Sequence, residues 1–457
     1  MGMGVLALTE VTLAQMLEAR ERRARCQKKL LDRLGLPVVS FTLNIPGPVK
    51  RSPPIQRAYR YGLELLRQRF RPRYVSEYIL DTGCEALLAV EGEPAALKRL
   101  AVAIEDADPL GRLLDIDVLD PAGAPVSRQA LGLPERTCLL CGGPAHACAR
   151  SRAHGVEALF GRAMDIIARH FAQAWVQTVA QQAQRALLWE VAVTPKPGLV
   201  DRQDSGAHQD MDIFTFLDSA AALAPYLGQC AQLGMDSANQ TPSQLYGALE
   251  EPARRAEGAM YRATGGVNTH KGAIYSMGLA CAAAGWLYGQ GKPFSPWAVL
   301  SLCGQMARQA VDAHFAALTW QSAYTTGEKL FLRHGLQGVR GQAASGFPAV
   351  REVGLPILRM ALSQGRSLND AACATLMHFI ARVPDTVLIG RSSYPAWQRL
   401  SQALQAALDA DPLPQRDALV QLNQAFIQEN LSPGGCADLL ALTLFLHFMD
   451  GVPSRLP

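Results

Sequence analysis

The run Thr264-Gly265-Gly266-Val267-Asn268-Thr269-His270-Lys271-Gly272 places glycines, an amide, hydroxyls, an imidazole and an ammonium directly before the apolar stretch Ala273 to Ala280. A glycine-rich loop entering a helix offers unpaired N–H groups and the positive end of the helix dipole to an anion. Lys271 adds a mobile point charge suited to phosphate. Gly265, Gly266, Asn268, Thr269, His270 and Lys271 are therefore candidate phosphate-binding residues. The glycine spacing departs from a formal phosphate loop, so a structural helix start with glycines chosen for room explains the same residues.

Other polar loops interrupt the same half of the chain. Thr194 to Asp201 is stiffened by Pro195 and Pro197 and displays Lys196. Ser205 to Asp212 carries His208, Asp210 and Asp212. If that stretch is helical, His208 and Asp212 share a face and could form a metal site or an acid/base pair. The competing reading is a helix cap, with Asp210 or Asp212 serving the first turn. Gly434 and Gly435 open another apolar run and permit close backbone approach. Four such loops could gather at one end of a helical bundle around a nucleotide.

In the first half, Asp115 and Asp117 lie two apart on an expected strand, so both face one side. Paired carboxylates there suit Mg²⁺ and phosphate chemistry; a solvent-facing acidic edge is the alternative. Cys138, Cys141, Cys148 and His154 have the composition of a zinc site, with two ligands from one Cys-x-x-Cys turn. Redox sensitivity and simple packing are the alternatives. Arg150, Arg152 and His154 can fork onto phosphate oxygens. The rigid turn Asn44 to Pro48 precedes a basic band of Lys50, Arg51 and Arg57, compatible with a polyphosphate or an acidic protein.

The elements that must position these groups differ between the halves. The first reads as α+β: helices over 12–34, 59–70 and 94–107, and strands over 38–43, 74–80, 85–90 and 113–119, with a hairpin around Asp81-Thr82-Gly83. From about Phe171 the chain becomes alanine- and leucine-rich and reads as all helical. The boundary is placed at 170/171. With 457 residues, 49% apolar and 18% charged, a large core is available and global disorder is excluded. A net charge of +4 gives no case for nucleic acid. The most apolar run, Ala437 to Met449, is too short to span a membrane. Ten mostly isolated cysteines and no secretory leader point to a reduced, cytoplasmic compartment.

These stretches resemble two known families. Ser40 to Lys50, Gly111 to Val118 and Cys138 to His154 are similar to citrate lyase holo-acyl-carrier-protein synthase, the apo-citrate lyase phosphoribosyl-dephospho-CoA transferase. Thr194 to Asp201, Gly206 to Asp212, Thr264 to Ile274 and Ser432 to Leu440 are similar to triphosphoribosyl-dephospho-CoA synthase. Together they cover nearly the whole chain, as in a fused, bifunctional form. The resemblance implies that the helical half joins ATP to 3′-dephospho-CoA and releases adenine. The first half would then pass the product to a serine of the apo acyl carrier (gamma) subunit of citrate lyase, releasing pyrophosphate.

Within that resemblance, Lys196, Lys271 and the Gly265-Gly266 backbone would hold the triphosphate. His208, Asp210 and Asp212 would carry Mg²⁺ or move protons. Asp115 and Asp117 would place Mg²⁺ in the first half, where Arg150, Arg152 and His154 grip phosphate. That chemistry is compatible with a nucleotidyltransferase-like mixed sheet. Two departures stand out: serines follow Arg391 where the family has glycines, and Cys436 replaces a serine-like residue. The alternatives are a zinc-stabilised interaction module on a non-catalytic helical scaffold, and a synthase serving malonate decarboxylase.

Overall fold

The computed structural model describes residues 9–452 and divides the chain into two compact units, with the division between Gln173 and Ala174. The first unit contains α1 (Leu13–Leu34), β1 (Val38–Leu43), α2 (Pro53–Phe70), β2 (Tyr74–Leu80), β3 (Gly83–Ala89), α3 (Pro94–Glu105), β4 (Leu114–Leu119) and the short α4 (Ala145–Ser151). Helix α1 starts at Thr12, whose side chain accepts from the Gln15 N–H while the Gln15 amide reaches back to the Thr12 N–H. That reciprocal pairing satisfies donors every helix start leaves free. Helix α2 begins earlier than its periodicity indicated, because Pro53 and Pro54 are tolerated in a first turn.

The sheet order is β2-β3-β1-β4, and every pairing is antiparallel. The expectation of a mixed sheet is thereby corrected. A tight turn at Asp81-Thr82 forces β2 and β3 antiparallel, and β1 then pairs antiparallel with β3 on one side and β4 on the other. Alternate residues divide the faces. Val39, Phe41, Ala86, Leu88, Ile116 and Val118 pack under α2 and α3. Val38, Leu87 and Ala89 pack against Leu30 and Leu31 of α1. The edge strand β4 is covered by side chains of α3: Glu105 accepts from the Ile116 N–H at 2.9 Å and Lys98 donates to the Ile116 carbonyl at 2.7 Å. Those bonds occupy groups that an exposed edge would offer to another strand.

Helix α5 (Val156–Ala192) spans the division. Ala163, Ile166, Ile167 and Phe171 pack with Ile45 and Ile55 of the first unit, whereas Trp175, Val179 and Leu187 belong to the helical core. No strand occurs in the second unit among the described residues. Its helices include α6 (Ile213–Asp236), α7 (Pro242–Ala248), α8 (Glu250–Ala263) and α9 (Lys271–Gly289), followed by helices among which Thr386–Arg391 and Gly434–Asp450 bear on the site. Helix α9 and the helix Gly434–Asp450 are buried nearly all round, as their uniformly apolar sequences require. Among the described residues, no helix is long and apolar enough to cross a membrane.

Candidate active sites

A cavity of about 700 Å³ opens in the helical unit, where loops and helix starts converge. Its size lies within the usual range for small-molecule sites, roughly 300–1,000 Å³. Of the residues singled out in the sequence, Lys196, His208, Asp210, Asn268, Thr269, His270, Lys271, Gly434 and Gly435 line it. Four separate loops therefore do meet.

Lys196 is 1% exposed and its ammonium pairs with Glu190 of α5. Asp201 holds this loop by accepting from the Thr194 hydroxyl at 2.7 Å and the Lys196 N–H at 2.9 Å. Lys271, at the start of α9, lies 3.2 Å from Glu257 and is half exposed, so its charge remains mobile. His270 is buried. Its Nδ1 lies 2.7 Å from the Ser219 hydroxyl, which accepts at 2.8 Å from Thr269. Which of Nδ1 and the Ser219 hydroxyl donates in their bond follows the ring tautomer, and the other nitrogen, Nε2, is buried with no hydrogen-bond partner among the described residues. Burial, with the Lys196 charge adding to it, lowers the His270 pKa to about 3. The cavity wall thus holds an imidazole that burial keeps neutral at ordinary pH.

Besides Asp210, three carboxylates share the cavity lining with these cations: Glu190, Asp385 and Asp438. Asp385 accepts from the N–H groups of Val387 (2.7 Å), Leu388 (3.2 Å) and Cys436 (2.8 Å), tying the starts of two helices together. Burial raises its pKa, and the three N–H groups oppose the rise. Asp438 abuts Gly272, where an added Cβ would come within 1.9 Å of its Oδ2. Burial, then the charges of Glu190 and Asp385, push the Asp438 carboxyl well above the ordinary carboxylate range. At the mouth, His208 lies 2.8 Å from the Ser432 hydroxyl through Nε2 and 3.3 Å from Arg391 through Nδ1. Burial and the Arg391 charge lower its pKa.

Three expected residues lie elsewhere. Residues 206–212 form turns, so His208 and Asp212 do not share a helix face. Asp212 is the exposed N-cap of α6, accepting from the Thr215 N–H at 2.9 Å. Gly265 and Gly266 reverse the chain after α8 with φ of 64° and 94°, and the Gly266 N–H is spent on the Tyr261 carbonyl at 2.7 Å. They terminate one helix and do not line the cavity at the start of the next.

Sequence reasoning overlooked Glu190, gave Ser432 and Asp438 no role beyond the glycine turn that they flank, and discounted Arg391. Asp438 had a legible signal, a lone acid just past the first turn of an otherwise apolar helix. Glu190 had none, because it reads as one more residue of a long helix.

In the first unit, Asp115 and Asp117 stand opposite Thr42 and Ser40 of β1. Their side chains leave the buried face occupied by Leu114, Ile116 and Val118. Asp115 accepts from Arg136 at 2.9 Å and from Thr42 at 3.3 Å, while Asp117 is 68% exposed with Lys98 at 3.9 Å. Arg150 and Arg152 are exposed at the end of α4, and Asn44 is exposed after β1. Lys50 donates instead to the Ile45 carbonyl at 2.5 Å, bracing the turn it follows. The Cys138, Cys141, Cys148 and His154 ligand atoms lie within 4.8 Å of one another.

Paired acids and cations on an α+β unit, with a separate polar cavity in a helical unit, define a two-domain transferase. Residues 176–455 match the family described as ATP:dephospho-CoA triphosphoribosyl transferase, and residues 11–170 match apo-citrate lyase phosphoribosyl-dephospho-CoA transferase. Protein CitXG of Haemophilus influenzae is 33% identical over 97% of both chains. Protein CitXG of Leuconostoc mesenteroides subsp. cremoris is 32% identical over 96% of this chain and 98% of its own. A 2-(5''-triphosphoribosyl)-3'-dephosphocoenzyme-A synthase of Pectobacterium atrosepticum is 42% identical over 59% of this chain and 88% of its own. The chain belongs to the family of bifunctional transferases that join these two activities on one polypeptide. Both the non-catalytic scaffold and the malonate decarboxylase alternative are displaced by the citrate lyase match of the first half.

Proposed function

We propose that the helical domain, residues 171–457, condenses ATP with 3′-dephospho-CoA, and that residues 1–170 transfer the product to a serine of the apo acyl carrier subunit of citrate lyase in the cytoplasm. In the first step the 2′-hydroxyl of dephospho-CoA forms a bond to C1′ of the ATP ribose. The C1′–N9 bond breaks, adenine takes its electrons and a proton, and the hydroxyl loses one. The transition state is oxocarbenium-like, by analogy with glycoside cleavage.

The observation that carries this reading is the cavity that gathers Lys196, Lys271, Arg391 and the neutral His270 opposite the carboxyl of Asp438. The cations would grip the triphosphate, with the neutral His270 ring behind them. Asp438, held toward its protonated form, would deliver a proton to the departing base. Among the described residues, no three carboxylates converge closely enough to cage a cation without a ligand's oxygens. Mg²⁺ would therefore enter with ATP, held by phosphate oxygens and Asp210, and would neutralise phosphate charge.

In the second step the carrier serine attacks phosphorus and pyrophosphate leaves, a nucleotidyltransferase-type reaction. Asp115 and Asp117 would hold Mg²⁺ there, with Arg150 and Arg152 on the phosphate oxygens. The protein incubated with ATP, dephospho-CoA and apo-carrier should raise the carrier's mass by one phosphoribosyl-dephospho-CoA group and release adenine. Adenine release with no carrier modification would retain the first assignment and remove the second.

A further inference from the structure

We infer that Cys138, Cys141, Cys148 and His154 bind one structural Zn²⁺ in a closed tetrahedral site. The ligand atoms already converge within 4.8 Å of one another, and Cys141 Sγ and Cys148 Sγ lie 3.4 Å apart. A zinc ion with bonds of about 2.3 Å to sulfur sets ligand separations of about 3.8 Å. Small side-chain adjustments therefore complete the tetrahedron.

The backbone is shaped for it. Cys138 and Cys141 lie on one turn, closed by the Cys138 N–H on the Gly143 carbonyl at 2.6 Å and the Gly142 N–H on the Cys138 carbonyl at 3.3 Å. Gly142 supplies the left-handed conformation, φ 72°, that the turn needs. Helix α4 presents Cys148, and Arg152 at φ 51° ends that helix and returns the chain to His154.

Two further observations point to a ligand. His154 Nε2 is buried and has no hydrogen-bond partner among the described residues, a costly arrangement unless a ligand occupies it. Helix α4 has seven residues and none is buried. A helix so short does not persist on its own, and this segment has little core to hold it. Metal coordination supplies that missing folding energy. Binding releases three thiol protons, giving three thiolates and a neutral imidazole on Zn²⁺. All four positions are filled by protein, so the site is structural. Its base leads through Thr137 to Arg136, which reaches Asp115, so the metal would hold one partner of the acid pair in place.

The full-length protein, purified under reducing conditions without added chelator, should contain one zinc per chain by elemental mass spectrometry. Replacement with Co²⁺ should give tetrahedral d–d bands and thiolate-to-cobalt charge-transfer absorption. Cys141→Ser and His154→Asn should each lower the zinc retained against a competing chelator by about tenfold or more, while Cys26→Ser should retain it. Metal-free protein with three reactive thiols in this segment, an octahedral cobalt spectrum, or a native Cys141–Cys148 disulfide would each overturn the proposal. None of these readouts depends on either transferase activity.

Discussion

At the scale of single residues, burial decides which polar groups in the cavity carry charge. His270 has its pKa lowered to about 3 against an unfolded value near 6.5. Its contribution to stability is complete above about pH 6.5 and is lost as the pH falls toward 3, because only the unfolded chain takes up the proton. Lowering the pH from 7 to 5 should therefore cost about 2 kcal/mol through this residue alone. Denaturant titrations of the wild type and His270→Asn should show a shallower pH slope for the variant; equal slopes would contradict the assignment. Asp385 makes a different argument. Its carboxylate satisfies three N–H groups at two helix starts. Asp385→Ala leaves those donors without a partner and should destabilise by about 2–4 kcal/mol. Asp385→Asn keeps an acceptor and should cost less than half as much. Asp212→Asn, by contrast, exchanges one good N-cap for another and should leave adenine release near the wild-type rate.

At the scale of elements, α6 and α9 approach so closely that side chains larger than hydrogen do not fit between them. An added Cβ at Gly234 would lie 1.9 Å from the Ala282 carbonyl oxygen, and one at Gly285 would lie 1.9 Å from that of Ala231. Backbone is the obstacle in both cases, so the helices must separate. Gly234→Ala and Gly285→Ala should each destabilise by about 1–3 kcal/mol, whereas Gly247→Ala, which meets open space, should not lower the melting temperature.

Period-two patterning made β4 legible because it has one buried face, whereas β1, buried on both faces over Val38 to Phe41, was legible as a short β-branched run stopped by the breakers Asn44 to Pro48. The helical half was legible from its alanine and leucine content. Pairing direction was legible only for the β2–β3 hairpin; for β1 with β3 and β4 the strand pattern serves either orientation and only the topology decides it. Nor was the role of Gly265 and Gly266, because glycine marks a helix end as readily as an anion cradle. Among the site residues, loops with several polar groups announced themselves. Glu190 did not, because its function arises only where helices cross, and Asp438 showed itself only as a lone acid in an apolar helix.

At the scale of the whole molecule, the two sites are built from different parts of the chain, and the variants that disable them should differ accordingly. The cavity draws every lining residue from Glu190 onward, and the acid pair of β4 lies wholly before the division. Asp438→Asn keeps the shape of the side chain but removes the carboxyl between Gly272 and Glu190. It should lower adenine release at least about a hundredfold, the usual scale of a lost proton donor. Transfer should survive in that variant when pre-formed triphosphoribosyl-dephospho-CoA is supplied. Asp117→Ala should do the reverse, with adenine released at the wild-type rate and the carrier left unmodified. Two assays on the same samples, adenine by chromatography and carrier mass by spectrometry, separate the outcomes. If either substitution removed both activities in a protein with an unchanged melting temperature, one shared site would have to replace two.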